Sequence, residues 1–100
     1  MSIYHDAVDH FGEATQVLKA AEAHARYAAE LSRRAVSMMR GEKPGNGNAL
    51  ATERAECEIS EKIMDIILRD LGGAKTEWKR RKIMNLSAII TNNKQQELSA

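Results

Sequence analysis

The residue types that most often bind a metal ion are concentrated at the start of the chain. His5 and Asp9 are four residues apart, as are Asp6 and His10, so each pair would lie on one face of a helix. A complete site needs further ligands, and the Glu-x-x-His spacing of di-iron bundles is absent at the carboxylates of this chain. Asp6 and Asp9 also complement the macrodipole of a helix that begins nearby. We predict that the chain binds no metal and no cofactor.

Carboxylates recur in a later segment, which contains Glu53, Glu56, Glu58, Glu61 and Asp65. This segment resembles the magnesium-binding helix of all-α nucleotide pyrophosphohydrolases, and the resemblance implies magnesium-dependent phosphate chemistry. Such an enzyme needs a second acidic cluster, whereas Glu77 is followed closely by four basic residues. Cys57 shares a helix face with apolar residues, so we expect a small buried side chain rather than a reactive thiol. We predict that the protein is not an enzyme and has no small-molecule substrate.

Basic side chains form two sets that could bind phosphate groups or an acidic protein surface. The basic run consists of Lys79, Arg80, Arg81 and Lys82. It lies in the first turns of a predicted helix, where each cation opposes the helix macrodipole by about 0.3–1 kcal/mol, and such a local cost often serves a function. The basic stripe recurs every seven residues along an earlier predicted helix and consists of Lys19, Arg26, Arg33 and Arg40, with Arg34 beside it. The alternative role of the basic run is pairing with Glu61, Asp65 and Asp70.

The elements that would position these side chains are all helices. Hydrophobic residues make up 43% of the 100 residues but aromatic residues only 4%, and no segment shows the alternating pattern of a strand. The single proline and three glycines fall within residues 41–48, which are predicted to be a loop. Helices are predicted over 3–40, 49–71 and 77–91, with Gly72 and Gly73 ending the second helix and a frayed tail over 92–100. The predicted fold is all-α, one domain in which a long N-terminal helix precedes a C-terminal helical hairpin.

The strongest pattern in the sequence is a heptad repeat along the first predicted helix. Every seventh position is an alanine, at Ala7, Ala14, Ala21, Ala28 and Ala35. The positions three residues before the first three of these alanines are Tyr4, Phe11 and Leu18. These eight residues are named the alanine seam. Because alanine lets two helix axes approach to about 8 Å, the seam predicts a close antiparallel coiled-coil contact.

The length of that helix predicts that a second chain covers the seam. About 38 helical residues span roughly 57 Å, whereas the radius of gyration of a compact 100-residue domain is near 13 Å. The shorter second and third helices would leave much of the seam uncovered, and exposed apolar surfaces of that size are uncommon. We therefore expect coiled-coil or helical-bundle packing in a homodimer, with a different protein as the alternative partner.

Composition narrows the classes of function further. The chain has 15 basic and 14 acidic residues and a net charge of +1, which excludes a globally basic nucleic-acid coat and a globally acidic DNA mimic. A single cysteine excludes an internal disulfide, and with an N-terminus that lacks a signal sequence it predicts a cytoplasmic location. No apolar run approaches the length of a transmembrane helix, so we expect no membrane partner.

The short length, the alanine-rich helix and the absence of a catalytic constellation are similar to the small effector or accessory proteins of phages and mobile elements, a resemblance that involves no specific motif. It implies a protein that binds and modulates a larger host protein. The sequence therefore favours a non-enzymatic protein–protein interaction module that pairs with itself and with a larger partner. The alternative is a nucleic-acid-binding accessory protein that uses the basic run and the basic stripe.

Overall fold

Four α-helices account for nearly all of the residues that the computed structural model describes, which are 2–43 and 45–99. They are α1 at Ile3–Phe11, α2 at Glu13–Met39, α3 at Asn48–Ile67 and α4 at Gly72–Ser99. The described residues contain no strand, so the predicted all-α class is confirmed. Met1, Pro44 of the predicted loop and Ala100 of the predicted tail lie outside the described residues. The chain divides into two compact units, the first ending at Arg69 and the second beginning at Asp70.

Gly12 divides the long N-terminal helix that the sequence predicts over 3–40. Its backbone has φ 86° and ψ 154°, outside the helical region and in the range of φ that favours glycine. The first helix therefore stops at Phe11, where the Gly12 amide still donates to the Val8 carbonyl at 2.8 Å, and a new helix starts at Glu13. The heptad repeat continues through this point in the sequence, but the helix does not.

The C-terminus of α2 is closed by a Schellman motif at the glycine that begins the predicted loop. Gly41 has φ 68°, which only glycine adopts without strain. Its amide donates to the Met38 carbonyl at 3.1 Å. The next amide, that of Glu42, donates to the Ser37 carbonyl at 3.0 Å, so two carbonyls at the end of the helix are satisfied.

Helices α2 and α3 run antiparallel and, with α1, form the first unit. The Cys57 thiol donates to the Ala23 carbonyl at 3.4 Å, and the Arg26 guanidinium lies 3.1 Å from the Glu53 carboxylate. Residue numbers therefore rise along α2 as those of their partners fall along α3. Helix α1 packs against both α2 and α3.

The side of α2 that faces the rest of the first unit is named the inner face. Its buried and half-buried positions alternate between spacings of four and three residues, and they are Gln16, Ala20, Ala23, Tyr27, Glu30, Arg34 and Ser37. Only two of these, both alanines, are apolar and buried, and α3 contributes Cys57 and Ile63 to the same core. The core of the described residues therefore consists mainly of small side chains.

The second predicted helix, over 49–71, ends earlier than the sequence predicts. Helix α3 stops at Ile67 because Leu68, with φ −103° and ψ 27°, leaves the helical region. A 3-10 turn over Arg69–Leu71 replaces the last predicted turn. The start of α3 at Asn48 lies one residue before the predicted start.

The third helix is longer at both ends than the predicted 77–91. Gly72 and its neighbouring glycine do not end α3 but begin α4, and neither adopts the positive φ by which glycine ends a helix. Thr76 lies one turn inside α4, where its hydroxyl donates to the Gly72 carbonyl at 3.0 Å. The predicted frayed tail is helical as far as Ser99. No glycine or proline follows Gly73, and Asn92 and Asn93, just beyond the predicted end, cost the helix little.

Candidate functional site

The side of α2 opposite the inner face carries most of its apolar residues and is named the outer face. At 100° per residue the centres of the two faces are about 160° apart. Every residue of the outer face is exposed. The outer face consists of Ala14, Thr15, Val17, Leu18, Ala21, Glu22, His24, Ala25, Ala28, Ala29, Leu31, Ser32, Ala35, Val36, Met38 and Met39.

In a self-contained monomer the apolar side of a helix faces the core. The distribution of apolar and polar side chains around α2 is the reverse of this. The inner face includes the charged residues Glu30 and Arg34, whereas the outer face includes only one carboxylate, Glu22. On the outer face Leu18 is 61% exposed and Met38 69%. An apolar surface of this extent on a soluble helix is typical of a protein-binding site.

The structure divides the alanine seam between two environments. Tyr4 and Ala7 belong to α1 and are half-buried in the first unit, whereas Phe11 at the end of α1 is 50% exposed. The remaining members of the seam lie exposed on the outer face: Ala14, Leu18, Ala21, Ala28 and Ala35. The predicted seam is therefore continuous only within α2, because the break at Gly12 separates the part that precedes it.

The basic stripe on α2 is largely neutralised by carboxylates of the same unit. Arg26 lies 3.1 Å from Glu53, Arg33 pairs with Glu30, and Arg40 lies 3.7 Å from Glu42. Each exposed pair contributes only about 0–1 kcal/mol to stability. Phosphate groups would have to compete with these carboxylates for the arginines.

The other two members of the basic stripe have different surroundings. The Lys19 ammonium lies 4.6 Å from the centre of the Phe11 ring, within the range of a cation–π contact. Arg34 is half-buried on the inner face. The stripe is therefore not a continuous row of freely exposed cations, and it matches the predicted phosphate-binding surface only in its spacing.

In the second unit the basic run is partly paired with Glu77. The Arg80 guanidinium donates to both oxygens of this carboxylate, at 2.7 and 3.1 Å, and Arg81 donates to one of them at 3.0 Å. The hydrogen bonds from Arg80 and, to a smaller extent, from Arg81 lower the pKa of the Glu77 carboxyl. The bond between Arg80 and Glu77 also raises the pKa of Arg80. The Arg81 guanidinium also lies 5.4 Å from the centre of the Trp78 ring.

Glu77 is a partner that the sequence reasoning missed. The acidic residues expected to pair with the basic run belong to other parts of the chain, whereas Glu77 precedes Arg80 by three residues and Arg81 by four. Residues at these spacings are neighbours on a helix surface. The spacing of Glu77 from Arg80 and Arg81 is therefore the sequence signal that predicts this contact.

Beyond the basic run, α4 carries exposed apolar residues on all sides, and the three aliphatic residues that share one side are named the α4 stripe. They are Ile83, Leu86 and Ile90, which are 56%, 57% and 45% exposed. Together with Ser87 and Lys94 they line a shallow concavity on the helix surface. Sequence reasoning did not single them out, although their spacing at i, i+3 and i+7 is typical of a helix that binds a groove.

The residues considered for metal binding and nucleophilic chemistry do not form a site. The described residues contain no group of three or more His, Cys, Asp or Glu side chains that could hold a metal ion. His5 Nδ1 instead lies 2.8 Å from the Ser2 hydroxyl. Cys57 is buried, as expected, and burial, followed by the nearby carboxylates of Glu53 and Glu61, raises the pKa of its thiol. A protonated, enclosed thiol is a poor nucleophile.

No helix in the described part of the chain combines the length and the hydropathy needed to cross a membrane. Comparisons with protein-family models, curated proteins and solved structures found no match to this chain. The described residues leave two apolar surfaces exposed, the outer face of the first unit and the α4 stripe of the second.

Proposed function

We propose that the protein is a non-enzymatic protein–protein interaction module whose helix α4 binds a hydrophobic groove on a larger protein. The observation that carries this proposal is the α4 stripe, in which three large aliphatic side chains with the spacing of a groove-binding helix are each about half exposed. Burial of one such side chain contributes about 1.5–3 kcal/mol. Three of them contribute at most about 4.5–9 kcal/mol before the cost of association, so micromolar binding, which needs about 8 kcal/mol, requires further contacts such as those of the basic run.

The basic run supports a groove with an acidic rim. It lies immediately before the α4 stripe, and Glu77 offsets only one of its four positive charges. Charges at the edge of an interface orient the partner and accelerate association more than they add affinity. An acidic protein surface fits this arrangement better than nucleic acid, because aliphatic side chains neither stack on bases nor form hydrogen bonds with them.

Substitutions on two sides of α4 test the proposal. Leu86→Glu and Ile90→Glu place charge in the α4 stripe, whereas the matched controls Met84→Glu and Ala88→Glu place the same charge on the other side of the helix. In affinity capture from the source cells, we expect one protein that is retained by the unaltered chain and both controls. The stripe variants should retain it at least tenfold less well, while circular dichroism shows unchanged helix content.

Two results would contradict this function. One is equal retention by the stripe variants and the controls, which would mean that the stripe makes no contact. The other is retention that nuclease treatment abolishes and that falls steeply with salt, since this is the behaviour of a protein bound to phosphate groups. The latter result would favour the nucleic-acid alternative.

A further inference from the structure

We propose that the outer face of α2 is the interface of an antiparallel homodimer, in which the face of one chain packs against that of a second copy. The interface belongs to the first unit and the groove-binding helix to the second. The two proposals therefore stand or fall separately.

The first argument is the low charge of the outer face. Among the residues of α2, each copy brings one carboxylate, Glu22, and the imidazole of His24 to the face, and Glu61 of α3 adds a second carboxylate at its edge. That imidazole is held within its own unit, with Nδ1 2.7 Å from the Ala20 carbonyl and Nε2 2.9 Å from Glu61. A surface that pairs with itself must avoid like charges opposite each other, and this face meets that requirement along nearly its whole length.

The second argument is complementarity of side-chain size. In an antiparallel heptad pair the alanine positions of one helix face the positions of the partner that precede its alanines by three residues, which are Leu18, Ala25 and Ser32. In a parallel pair the alanine positions of the two helices face each other. An antiparallel copy therefore places Leu18 opposite an alanine, whereas Ala25 and Ser32 face small side chains in either orientation. A parallel copy would place Leu18 against Leu18 and leave the neighbouring alanine layers loosely filled.

The third argument is area. Helix α2 has 27 residues and is about 40 Å long. Its large apolar side chains from Val17 to Met39 are 41–85% exposed. A standard stable interface buries about 800 Å² per partner, an area that an apolar face extending along the whole of α2 can approach.

Charge substitutions test the interface. We expect the unaltered protein to sediment at twice its mass of 11.1 kDa at micromolar concentration. Ala21→Glu and Ala28→Glu should raise the dissociation constant at least a hundredfold, because a carboxylate cannot be accommodated where two backbones approach closely. The matched control Ala55→Glu, at an exposed alanine of α3, should leave it unchanged. A monomer throughout, or equal effects of Ala21→Glu and Ala55→Glu on dimerisation, would overturn the proposal.

A cysteine experiment tests the orientation and keeps the outer face nearly intact, so it remains decisive if the glutamate variants fail to fold. In a Cys57→Ala background, chains with Ala21→Cys are mixed with chains that carry Ser32→Cys, and both are oxidised. The antiparallel dimer predicts disulfides between the two kinds of chain, since an alanine position then faces the other seam position and the two residues lie at similar distances from opposite ends of α2. Disulfides formed mainly between two chains of the same kind would show a parallel pair and overturn the proposal.

Discussion

The inner and outer faces of α2 have the same heptad periodicity but opposite roles within the chain. The inner face, with two buried alanines among polar side chains, packs against the rest of the first unit. The outer face, richer in leucine, valine and methionine, is exposed. The difference shows that a repeat identifies a helix surface suited to packing, whereas the partner helix decides which of two such surfaces it covers.

Specific contacts explain why α3 covers the more polar side. Ala23 is only 2% exposed, and its carbonyl accepts from the Cys57 thiol, a bond that requires the two helices to be close. At the edge of the same contact Arg26 and Glu53 form an ion pair, so polar residues at this interface have partners. The polar composition of the inner face therefore does not prevent packing, and it leaves the more apolar side available.

The largest effect should come from removing a large buried side chain that α3 places opposite the inner face. Ile63 is 6% exposed and Ile59, one turn earlier on α3, is 48% exposed. Ile63→Ala should lower the free energy of unfolding of the first unit by about 2–4 kcal/mol, because it leaves a cavity. Ile59→Ala should cost less than about 1 kcal/mol. Urea denaturation measures both, and equal costs would mean that the core lies elsewhere.

A smaller effect should separate the two faces of α2 directly. Ala23→Leu overpacks the inner face and should lower the free energy of unfolding by about 1–3 kcal/mol at any protein concentration. Ala28→Leu, on the outer face, should leave unfolding of the single chain within about 0.5 kcal/mol and alter only its dependence on concentration. Denaturation at two concentrations about a hundredfold apart distinguishes the two. The comparison fails if Ala28→Leu destabilises the diluted chain as much as Ala23→Leu does.

The smallest expected effect is a pH dependence that Cys57 brings to the inner face. Its pKa is raised in the folded chain, whereas in the unfolded chain the thiol ionises near pH 8.5. The protonated thiol therefore stabilises the folded chain. This stabilisation is complete below about pH 8.5 and is lost as the pH rises from there through the raised pKa of the folded state. Between about pH 7 and pH 9.5 the urea midpoint should fall more for the unaltered protein than for Cys57→Ala. Identical slopes would show that the thiol is solvated.

The class of fold and the loop at Gly41 could be predicted from the sequence because they depend on local chemistry. Apolar spacing without alternation excluded strands, and the glycine at the end of α2 supports the turn by its positive φ. The two other glycine sites show the limit of such reasoning. Gly12 lies within the helix predicted over 3–40 and breaks it, while Gly72 was expected to end a helix and begins one. Composition does not reveal which φ a glycine adopts, because tertiary contacts decide it.

The candidate sites were predicted in part. The exposed alanines of α2 and the basic run of α4 were identified from periodicity and from charges that oppose the macrodipole. The partners of the basic stripe were not, because the ion pair of Arg26 with Glu53 connects residues far apart in sequence. The α4 stripe was overlooked because the sequence placed the helix within a folded hairpin, where aliphatic residues are expected to be covered.

A single substitution at the glycine between α1 and α2 would change the arrangement of the first unit. The sevenfold repeat keeps its phase across Gly12, and a β-carbon added there would meet no atom within 4 Å. The packing of α1 against α2 and α3 and the positive φ of Gly12 hold the interruption, whereas alanine favours a helix over glycine by about 1 kcal/mol. Replacement of this glycine by alanine would bias the chain towards a single rod of about 55 Å. Such a rod would move Tyr4 and Ala7 from the first unit towards the heptad surface of α2. This one position therefore affects both the packing within a single chain and the extent of its apolar surface.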